Sequence, residues 1–211
     1  MNNKTIAYFV DHPYSSIQSI NAISLALSNY RVKIFTKHSV EESFFQDVDC
    51  LCFAGGFGDS DRFDSALTNN KELVTNFVTS GGKYLGICMG AYYAGSQYFN
   101  FLDNLDTVQY IKQKNACAKR PHAKAIDVIW NGLETKMFFY DGCSIVGSGE
   151  CKTIATYKAN QDRMAIIQKN IGLIGCHPES TQYWFDSYSY MENQYIDQRI
   201  LLQDFVNLLI N

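Results

Sequence analysis

Short apolar runs alternate along this 211-residue chain with segments whose apolar residues have the spacing of a helix, and this alternation constrains the fold more than any other feature. The apolar runs of its first half lie at residues 5–10, 31–36, 50–54 and 83–87. Between the first two runs, aliphatic residues recur as on one helix face, at Ile17, Ile20, Ile23 and Leu27. Residues 70–79 form a second helical pattern, which Gly81 and Gly82 end. Uninterrupted apolar strands are typical of a parallel sheet covered on both faces, so the sequence predicts a three-layer α/β fold.

The second half of the chain predicts shorter strands that are joined by tight turns. Its strand-like runs lie at residues 125–130, 136–140, 153–157, 164–168 and 171–175. The Asn-Gly and Asp-Gly pairs at residues 131–132 and 141–142 are turn signals between consecutive strands. We therefore expect a mostly parallel, flavodoxin-like sheet with helices on both faces and a β-rich extension in the second half.

The C-terminal segment has the spacing of a helix. Residues 196–209 place Leu201, Phe205 and Leu208 on one face, which is expected to dock on the core. The chain shows no linker, internal repeat or low-complexity tract, so residues 1–211 are expected to form a single domain.

Charge and cysteine content narrow the classes of function. With a net charge of −3 and 18% charged residues, the chain offers no electrostatic reason to bind nucleic acid or an anionic membrane. The apolar run before Asp11 is too short for a membrane span or a signal segment. Seven cysteines without a secretory signal favour free thiols in a reducing compartment, so a cytoplasmic location is expected. Cys50 and Cys52 have no second pair of matching spacing, and neither a metal nor a cofactor is expected.

The strongest local signal is the segment GICMG at residues 86–90, where a strand is expected to turn directly into a helix. This is the G-x-nucleophile-x-G arrangement, with cysteine in place of serine. The glycines allow a sharp turn that presents the Cys88 sulfur at the carboxyl edge of the sheet, where open α/β folds bind ligands. The positive end of the following helix stabilises a thiolate there. The alternative interpretation is that Cys88 is one of several small buried hydrophobic residues.

A second signal is the segment GCHPE at residues 175–179, which follows an apolar strand. The His177 imidazole can take the thiol proton, and Glu179 can orient the ring and fix its tautomer. Alone, a histidine in such a position is more often a satisfied core or surface residue. In combination with the upstream elbow, the pattern predicts a catalytic triad of Cys88, His177 and Glu179.

Glycines after the third strand supply a candidate oxyanion site. In the segment AGGFG at residues 54–58, the backbone N–H groups of Gly55 and Gly56 can point into the cleft. Together with the N–H of Met89, the residue after the nucleophile, they are expected to hold a developing oxyanion. A plain tight turn is the alternative interpretation of these glycines.

The order of these motifs resembles the class I glutamine amidotransferase superfamily, whose members carry a Gly-rich oxyanion strand, a G-x-C-x-G elbow and a late His-x-Glu. Within it, the sequence is most similar to the domain found at the N-terminus of eukaryotic-type biotin–protein ligases, which also occurs as free-standing proteins. The similar segments are FAGGFGDSDRF (53–63), GGKYLGICMGAYYAG (81–95), MFFYDGCSIVG (137–147), TIATY (153–157) and IGLIGCHPES (171–180). They follow the family's order over most of the chain.

The resemblance implies a cysteine-dependent amide hydrolase or amidotransferase, with Cys88 as nucleophile, His177 as base and Glu179 as orienting acid. It implies a thioester intermediate, a small amide substrate, and a separate synthase or acceptor protein that receives the ammonia. Biotin ligation resides in a separate C-terminal domain of those ligases. No biotin ligase activity is therefore expected from this chain.

Substrate-binding residues are less well defined than the triad. Asp11, after the first strand, and Asp59 and Arg62, after the oxyanion glycines, are candidates to line the cleft. Loop residues without a ligand are an equally good interpretation of all three. The aromatic stretch Tyr183–Tyr190 is a candidate lid, with plain packing as the alternative. The sequence leaves the oligomeric state open.

Two other functions stay open at the level of sequence. A catalytically silent regulatory or binding module would keep the same fold and triad without turnover. A redox or deglycase-like branch of the superfamily also uses an elbow cysteine, and oxidation by peroxide confined to Cys88 would favour it. The late His-Pro-Glu favours the amidase interpretation over that branch.

Overall fold

A mixed eleven-stranded sheet forms the centre of the molecule. The computed structural model describes residues 4–38, 41–57, 65–68 and 70–211. The strands are β1 Thr5–Phe9, β2 Arg31–Phe35, β3 Cys50–Phe53, β4 Lys83–Ile87, β5 Leu105–Gln109, β6 Lys124–Trp130, β7 Leu133–Phe139, β8 Cys143–Gly147, β9 Lys152–Tyr157, β10 Arg163–Gln168 and β11 Ile171–Ile174. The α-helices include α1 Ile17–Ala26, α2 Lys71–Thr79, α3 Met89–Tyr93, α4 Gln182–Asp186 and α5 Arg199–Ile210. Short 3₁₀ helices span Glu42–Asp47, Tyr110–Lys112 and Ser189–Met191.

The first four strands and β11 form the parallel half of the sheet, in the order β2-β1-β3-β4-β11. Each neighbouring pair in this half runs parallel. Strands β1, β3 and β11 are buried at every position, as expected for strands that are covered on both faces. The predicted α/β fold with a flavodoxin-like parallel half is therefore confirmed. The whole sheet is mixed rather than mostly parallel, because the strands of the second half other than β11 pair antiparallel with their neighbours.

The second half of the chain extends the sheet with antiparallel strands, in the order β11-β10-β9-β6-β7. Strand β8 pairs with β5 and with β10 beside this path. The β-rich extension is thus confirmed, but β5 and β8 were not predicted as strands. The sequence of β5, LDTVQ, mixes polar and apolar residues and is only partly buried, so no apolar run marks it. Strand β8 is short and directly follows the Asp141-Gly142 turn.

Helix α5 begins at Arg199 rather than at residue 196, and it ends at Ile210. Its buried residues are Leu202, Phe205, Val206, Leu209 and Ile210. The predicted core-facing stripe was right for Phe205 and wrong for Leu208, which is 46% exposed. Apolar residues occupy most of this helix, so two neighbouring stripes fit the helical period equally well. Only the packing of α5 against the sheet and α1 selects between them.

Helices cover both faces of the parallel half. On one face, α1 and α5 pack with Ile6 and Tyr8 of β1. On the other face, α2 and α3 pack with Ala7 and Phe9 of the same strand. This division follows from the two-residue period of a strand and produces the three predicted layers. In the part of the chain that the structure describes, no helix has the length and apolar character to cross a membrane.

Candidate active site

The turn between β4 and α3 holds Cys88 in a conformation that few residues adopt. Cys88 has a φ of 52° and a ψ of −106°, and such outliers persist only where the surrounding structure fixes them. Glycine is required on both sides of the turn. A Cβ on Gly86 would lie 2.4 Å from the Gly90 carbonyl oxygen, and a Cβ on Gly90 would lie 1.8 Å from the Phe53 carbonyl oxygen. The strand–turn–helix arrangement expected from the sequence is therefore present.

The register of the sheet brings Cys88 and His177 to the same edge. Ile87 of β4 pairs with Ile174 of β11, and the Cys88 N–H donates to the Ile174 carbonyl at 2.8 Å. Cys88 and the segment that carries His177 therefore leave neighbouring parallel strands side by side. The His177 N–H donates to the Phe138 carbonyl at 3.0 Å, which ties this segment to the end of β7.

Glu179 fixes the orientation and the charge of the His177 ring. His177 Nδ1 and Glu179 Oε1 are 2.8 Å apart, which leaves Nε2 available to a reacting group. Burial by itself lowers the pKa of His177, but the Glu179 carboxylate and then the Cys88 sulfur outweigh burial and raise the pKa from 6.5 to about 10. The ring is therefore protonated at neutral pH. A positive charge thus lies close to the Cys88 sulfur.

Ser19 on helix α1 is a second partner of the Glu179 oxygen that contacts His177, whereas Glu179 Oε2 is buried without a partner in the described part of the chain. Its hydroxyl donates to Glu179 Oε1 at 2.7 Å and accepts from the Gly55 N–H at 3.2 Å. Because Glu179 is fully buried, this contact offsets part of the cost of removing the carboxylate from water. Ser19 belongs to no motif and lies 160 residues from Glu179. Its one sequence signal is that a polar residue stands on the buried face of an amphipathic helix.

We expect the substitution Ser19→Ala to lower the free energy of unfolding by about 2–3 kcal/mol, because it leaves the buried Gly55 N–H without its acceptor and leaves Glu179 Oε1 with His177 alone. Urea denaturation followed by circular dichroism measures this change. The matched control is Ser16→Ala at the start of the same helix, where loss of the cap to the Ser19 N–H costs about 1 kcal/mol. A Ser19→Ala effect no larger than that of the control would contradict the contact's importance.

Aromatic side chains enclose His177. Its ring centroid lies 5.3 Å from that of Trp184 and 5.9 Å from that of Phe138, with the rings edge to face. Trp184 belongs to α4, within the stretch Tyr183–Tyr190 that was a candidate lid. Tyr183 and Tyr190 themselves are 67% and 59% exposed. The stretch therefore contacts the histidine through its tryptophan and not through these two tyrosines.

The three expected oxyanion donors lie in different settings. The Gly55 N–H already donates to the α1 serine hydroxyl, so it is engaged within the protein. A Cβ on Gly55 would lie 2.7 Å from His177 Cε1, so this glycine allows the ring to approach the end of β3. Gly56 and Met89 line a cavity of about 620 Å³ together with Cys88. Among the three, Gly56 and Met89 are the residues that line the cavity.

Of the weaker substrate-binding candidates, Asp11 lies in the described part of the chain. Its side chain is 5% exposed and forms an ion pair with Lys37 at 3.2 Å, while its N–H donates to Ser15 Oγ at 2.9 Å. Asp11 does not belong to the described residues that line the cavity beside Cys88. Asp59 and Arg62 lie outside the described residues.

The groups at this edge suit covalent chemistry at a carbonyl carbon. They comprise a cysteine sulfur, an imidazolium, the carboxylate that orients it, and the backbone of two residues that line a cavity, Gly56 and Met89. Such a set can form and break an acyl–sulfur bond. Within residues 4–38, 41–57, 65–68 and 70–211, no group of three or more His, Cys, Asp or Glu side chains is arranged to hold a metal ion.

The chain is similar to one family of known sequences. The family model described as biotin–protein ligase, N terminal, matches residues 13–115, slightly less than half of the chain. The matched region includes Cys88 and ends before His177. No curated protein matches the chain.

Solved structures of glutamine amidotransferases share the fold over almost the whole chain. PurLQS from Thermotoga maritima superposes with a TM-score of 0.67 at 14% identity, over 99% of this chain and 100% of that chain. A glutamine amidotransferase from the same organism gives a TM-score of 0.63 at 13% identity, over 99% and 93%. Another glutamine amidotransferase gives a TM-score of 0.68 at 14% identity, over 97% and 98%. At these identities the likeness establishes the fold alone.

Proposed function

Because the chain has the fold of the glutamine amidotransferases and matches the biotin–protein ligase N-terminal family over residues 13–115, we propose that it is a cysteine-dependent amide hydrolase or amidotransferase. The observation that carries the proposal is the meeting of an elbow cysteine with a buried His–Glu pair at one edge of the sheet. In this proposal Cys88, His177 and Glu179 act as a catalytic triad.

The first half of the reaction forms a thioester. The Cys88 sulfur, negatively charged beside protonated His177, attacks the carbonyl carbon of the amide. The carbonyl oxygen takes up negative charge, which the N–H groups of Gly56 and Met89 stabilise. His177 then donates its proton to the amide nitrogen, the carbon–nitrogen bond breaks, and ammonia or an amine leaves. The acyl group stays on Cys88.

The second half of the reaction restores the enzyme. Neutral His177 removes a proton from water, and the oxygen of that water adds to the thioester carbon. The carbon–sulfur bond then breaks, which releases the carboxylic acid and returns the sulfur to its anionic state beside protonated His177. Glu179 keeps the ring oriented throughout. The net reaction converts an amide and water into an acid and ammonia or an amine.

Release of ammonia separates the two versions of this proposal. A hydrolase releases ammonia into solution, whereas an amidotransferase delivers it to a separate synthase or acceptor protein. The test measures ammonia from a panel of primary amides that includes glutamine, with the purified chain alone and with proteins that co-purify with it. Catalytic release in either condition supports the proposal. No release in both conditions, together with a Cys88 that does not react with an electrophilic glutamine analogue, would identify the silent module instead.

The pH dependence of turnover tests the role of Glu179. The pKa of His177 is raised to about 10. In the native protein the ring therefore keeps the proton that it donates to the leaving nitrogen up to about that pH. Glu179→Gln keeps an oxygen for the Nδ1–H but removes the negative charge that contributes most to raising the pKa. We therefore expect the alkaline limb of the kcat profile to move to lower pH, and kcat at neutral pH to fall by about 10²-fold.

The control for this substitution is Glu192→Gln, the same chemical change at an exposed position 13 residues further along the chain. Its kcat profile is expected to match that of the native protein. An alkaline limb that stays in place in Glu179→Gln would contradict the assignment of Glu179 as the orienting acid.

A further inference from the structure

The cavity beside Cys88 is larger than the attack on a carboxamide group requires. Its volume of about 620 Å³ lies within the range of pockets that bind drug-sized ligands. Cys88 and Met89 form one end of it. The side chains that shape the rest of the wall include Tyr92, Tyr98, Tyr140 and Asp141.

Aromatic rings form much of this wall, and contacts within the protein hold them in place. The Tyr92 hydroxyl donates to the Asp141 carbonyl at 3.1 Å, so this ring is fixed along the cavity. The Tyr98 ring packs against that of Tyr93, with centroids 5.5 Å apart. The Tyr140 carbonyl lies 3.6 Å from the Cys88 sulfur. The cavity that Cys88 lines therefore also offers apolar, planar surfaces to a ligand.

One carboxylate in the wall, that of Asp141, has an oxygen without a hydrogen-bond partner in the described residues. Asp141 Oδ2 accepts from Gln109 Nε2 at 3.0 Å, but Oδ1 is buried and has no hydrogen-bond partner in the described part of the chain. Burial raises the pKa of Asp141, although Gln109 and Lys112 act in the opposite direction. A buried acceptor without a donor is costly, so a rotation of the Asp141 side chain that brings Oδ1 to a donor of a ligand in the cavity removes this cost and adds affinity.

The other carboxylate in the wall is different, because its hydrogen bonds are made within the protein. Asp106 Oδ1 accepts from the N–H groups of Ser96 and Thr107 at 2.9 and 2.8 Å, and Oδ2 accepts from the Ser96 hydroxyl at 2.6 Å. Asp106 therefore braces the loop that follows α3. Asp141, unlike Asp106, thus has a carboxylate oxygen that accepts no hydrogen bond within the described part of the chain.

The backbone fixes Asp141 close to the nucleophile. Asp141 has a φ of 54°, in the left-handed region, directly after the residue whose carbonyl contacts the Cys88 sulfur. Gly142, which follows it, packs so closely on β11 that a Cβ would lie 1.9 Å from the Gly175 carbonyl oxygen. The position of the carboxylate relative to Cys88 is therefore set by two strands and not by a free loop.

We propose that this site takes a small amide that carries a protonated amine near its carbonyl and an apolar or aromatic body, with Asp141 binding the amine and the tyrosines binding the body. The inference rests on the proposed function, which identifies the amide bond as the bond that is broken and places the carbonyl carbon beside Cys88. It makes Asp141 a specificity-determining residue. An α-amino amide with an aromatic side chain fits this description.

Binding to the Cys88→Ala protein tests the inference separately from catalysis. L-Phenylalaninamide carries both the amine and the body, 3-phenylpropanamide lacks the amine, and glycinamide lacks the body. We expect calorimetry to show that phenylalaninamide binds about 10-fold or more tightly than either relative. Adding Asp141→Asn is expected to reduce its affinity to that of 3-phenylpropanamide. Asp106→Asn is the matched control and is expected to keep the preference.

A second variant addresses the body of the ligand. In Tyr98→Leu, phenylalaninamide and 3-phenylpropanamide are both expected to bind more weakly, while the preference for the amine persists. The inference is overturned if phenylalaninamide shows no measurable binding, if glutamine binds more tightly, or if the amine preference survives Asp141→Asn. Should Asp141→Asn fail to fold, the comparison among the three amides and Tyr98→Leu decides on the same criteria.

Hydrolysis of the same compounds by the native chain reports on the proposed function. Asp141-dependent binding without hydrolysis would leave the inference standing and would count against the amidase proposal. Hydrolysis of all three amides at equal kcat/KM would support the amidase proposal and overturn the inference.

Discussion

Replacing Cys88 with alanine is expected to lower amide hydrolysis by about 10³-fold or more, because the substitution removes the atom that forms the thioester in the proposed reaction. The same protein is expected to lose the covalent adduct that an electrophilic glutamine analogue forms at this position. The fold should persist, since alanine fills most of the space of a cysteine that is 6% exposed. Steady-state ammonia release and intact-protein mass spectrometry measure the two effects.

The control for this substitution is a second cysteine of greater accessibility. Cys117 is exposed, so Cys117→Ala should lose general thiol labelling at that position while it keeps full hydrolysis. An adduct that persists at full occupancy in Cys88→Ala, or a turnover rate within a factor of about ten of the native rate, would refute the nucleophile assignment.

Gly90→Ala is expected to produce the largest loss of stability among single methyl additions in this turn. The new Cβ would lie 1.8 Å from the Phe53 carbonyl oxygen, a main-chain atom of β3 that cannot swing aside. Helix α3 would have to move away from the sheet, at a cost of about 3 kcal/mol or more. Urea denaturation measures the loss, and residual activity reports how far the elbow has shifted.

Gly132→Ala separates crowding from backbone strain. Gly132 has a φ of +83° but nothing within 4 Å of an added Cβ, so its replacement costs only the left-handed conformation, about 1–2 kcal/mol. The cost of Gly90→Ala should exceed that of Gly132→Ala. A larger loss of stability in Gly132→Ala than in Gly90→Ala would contradict the close packing of α3 on β3.

Local patterns in the sequence were sufficient to predict the parallel strands and the meeting of Cys88 with His177. A strand that is buried on both faces needs an apolar side chain at almost every position, so its run is visible without knowledge of its neighbours. Carboxyl ends of parallel strands meet at one edge, so residues that directly follow two such runs are placed together. The glycines around Cys88 are visible in the sequence because the turn itself leaves no space for a Cβ at Gly86 or Gly90.

The contacts of Ser19 and Asp141 could not be predicted in the same way. Ser19 contacts Glu179 because α1 packs on one face of the sheet. The residues near Ser19 in the sequence do not indicate which part of the sheet this helix covers. The Asp-Gly pair at residues 141–142 predicted a turn correctly, but the unused acceptor depends on where Gln109 of β5 lies, and β5 has no apolar run. Whether a polar side chain finds a hydrogen-bond partner therefore depends on the assembled sheet and not on the local sequence.

The hydroxyl of Ser19 has a consequence for where the chain can be cut. It joins helix α1 to the Gly55 N–H and to the Glu179 carboxylate, and β1, which precedes that helix, lies between β2 and β3 in the sheet. A fragment that starts after α1 would contain all of Cys88, His177 and Glu179 and would still lack the hydroxyl that contacts Glu179 and Gly55. We therefore expect the smallest fragment that keeps the proposed triad in place to include the first thirty or so residues as well as the late histidine segment.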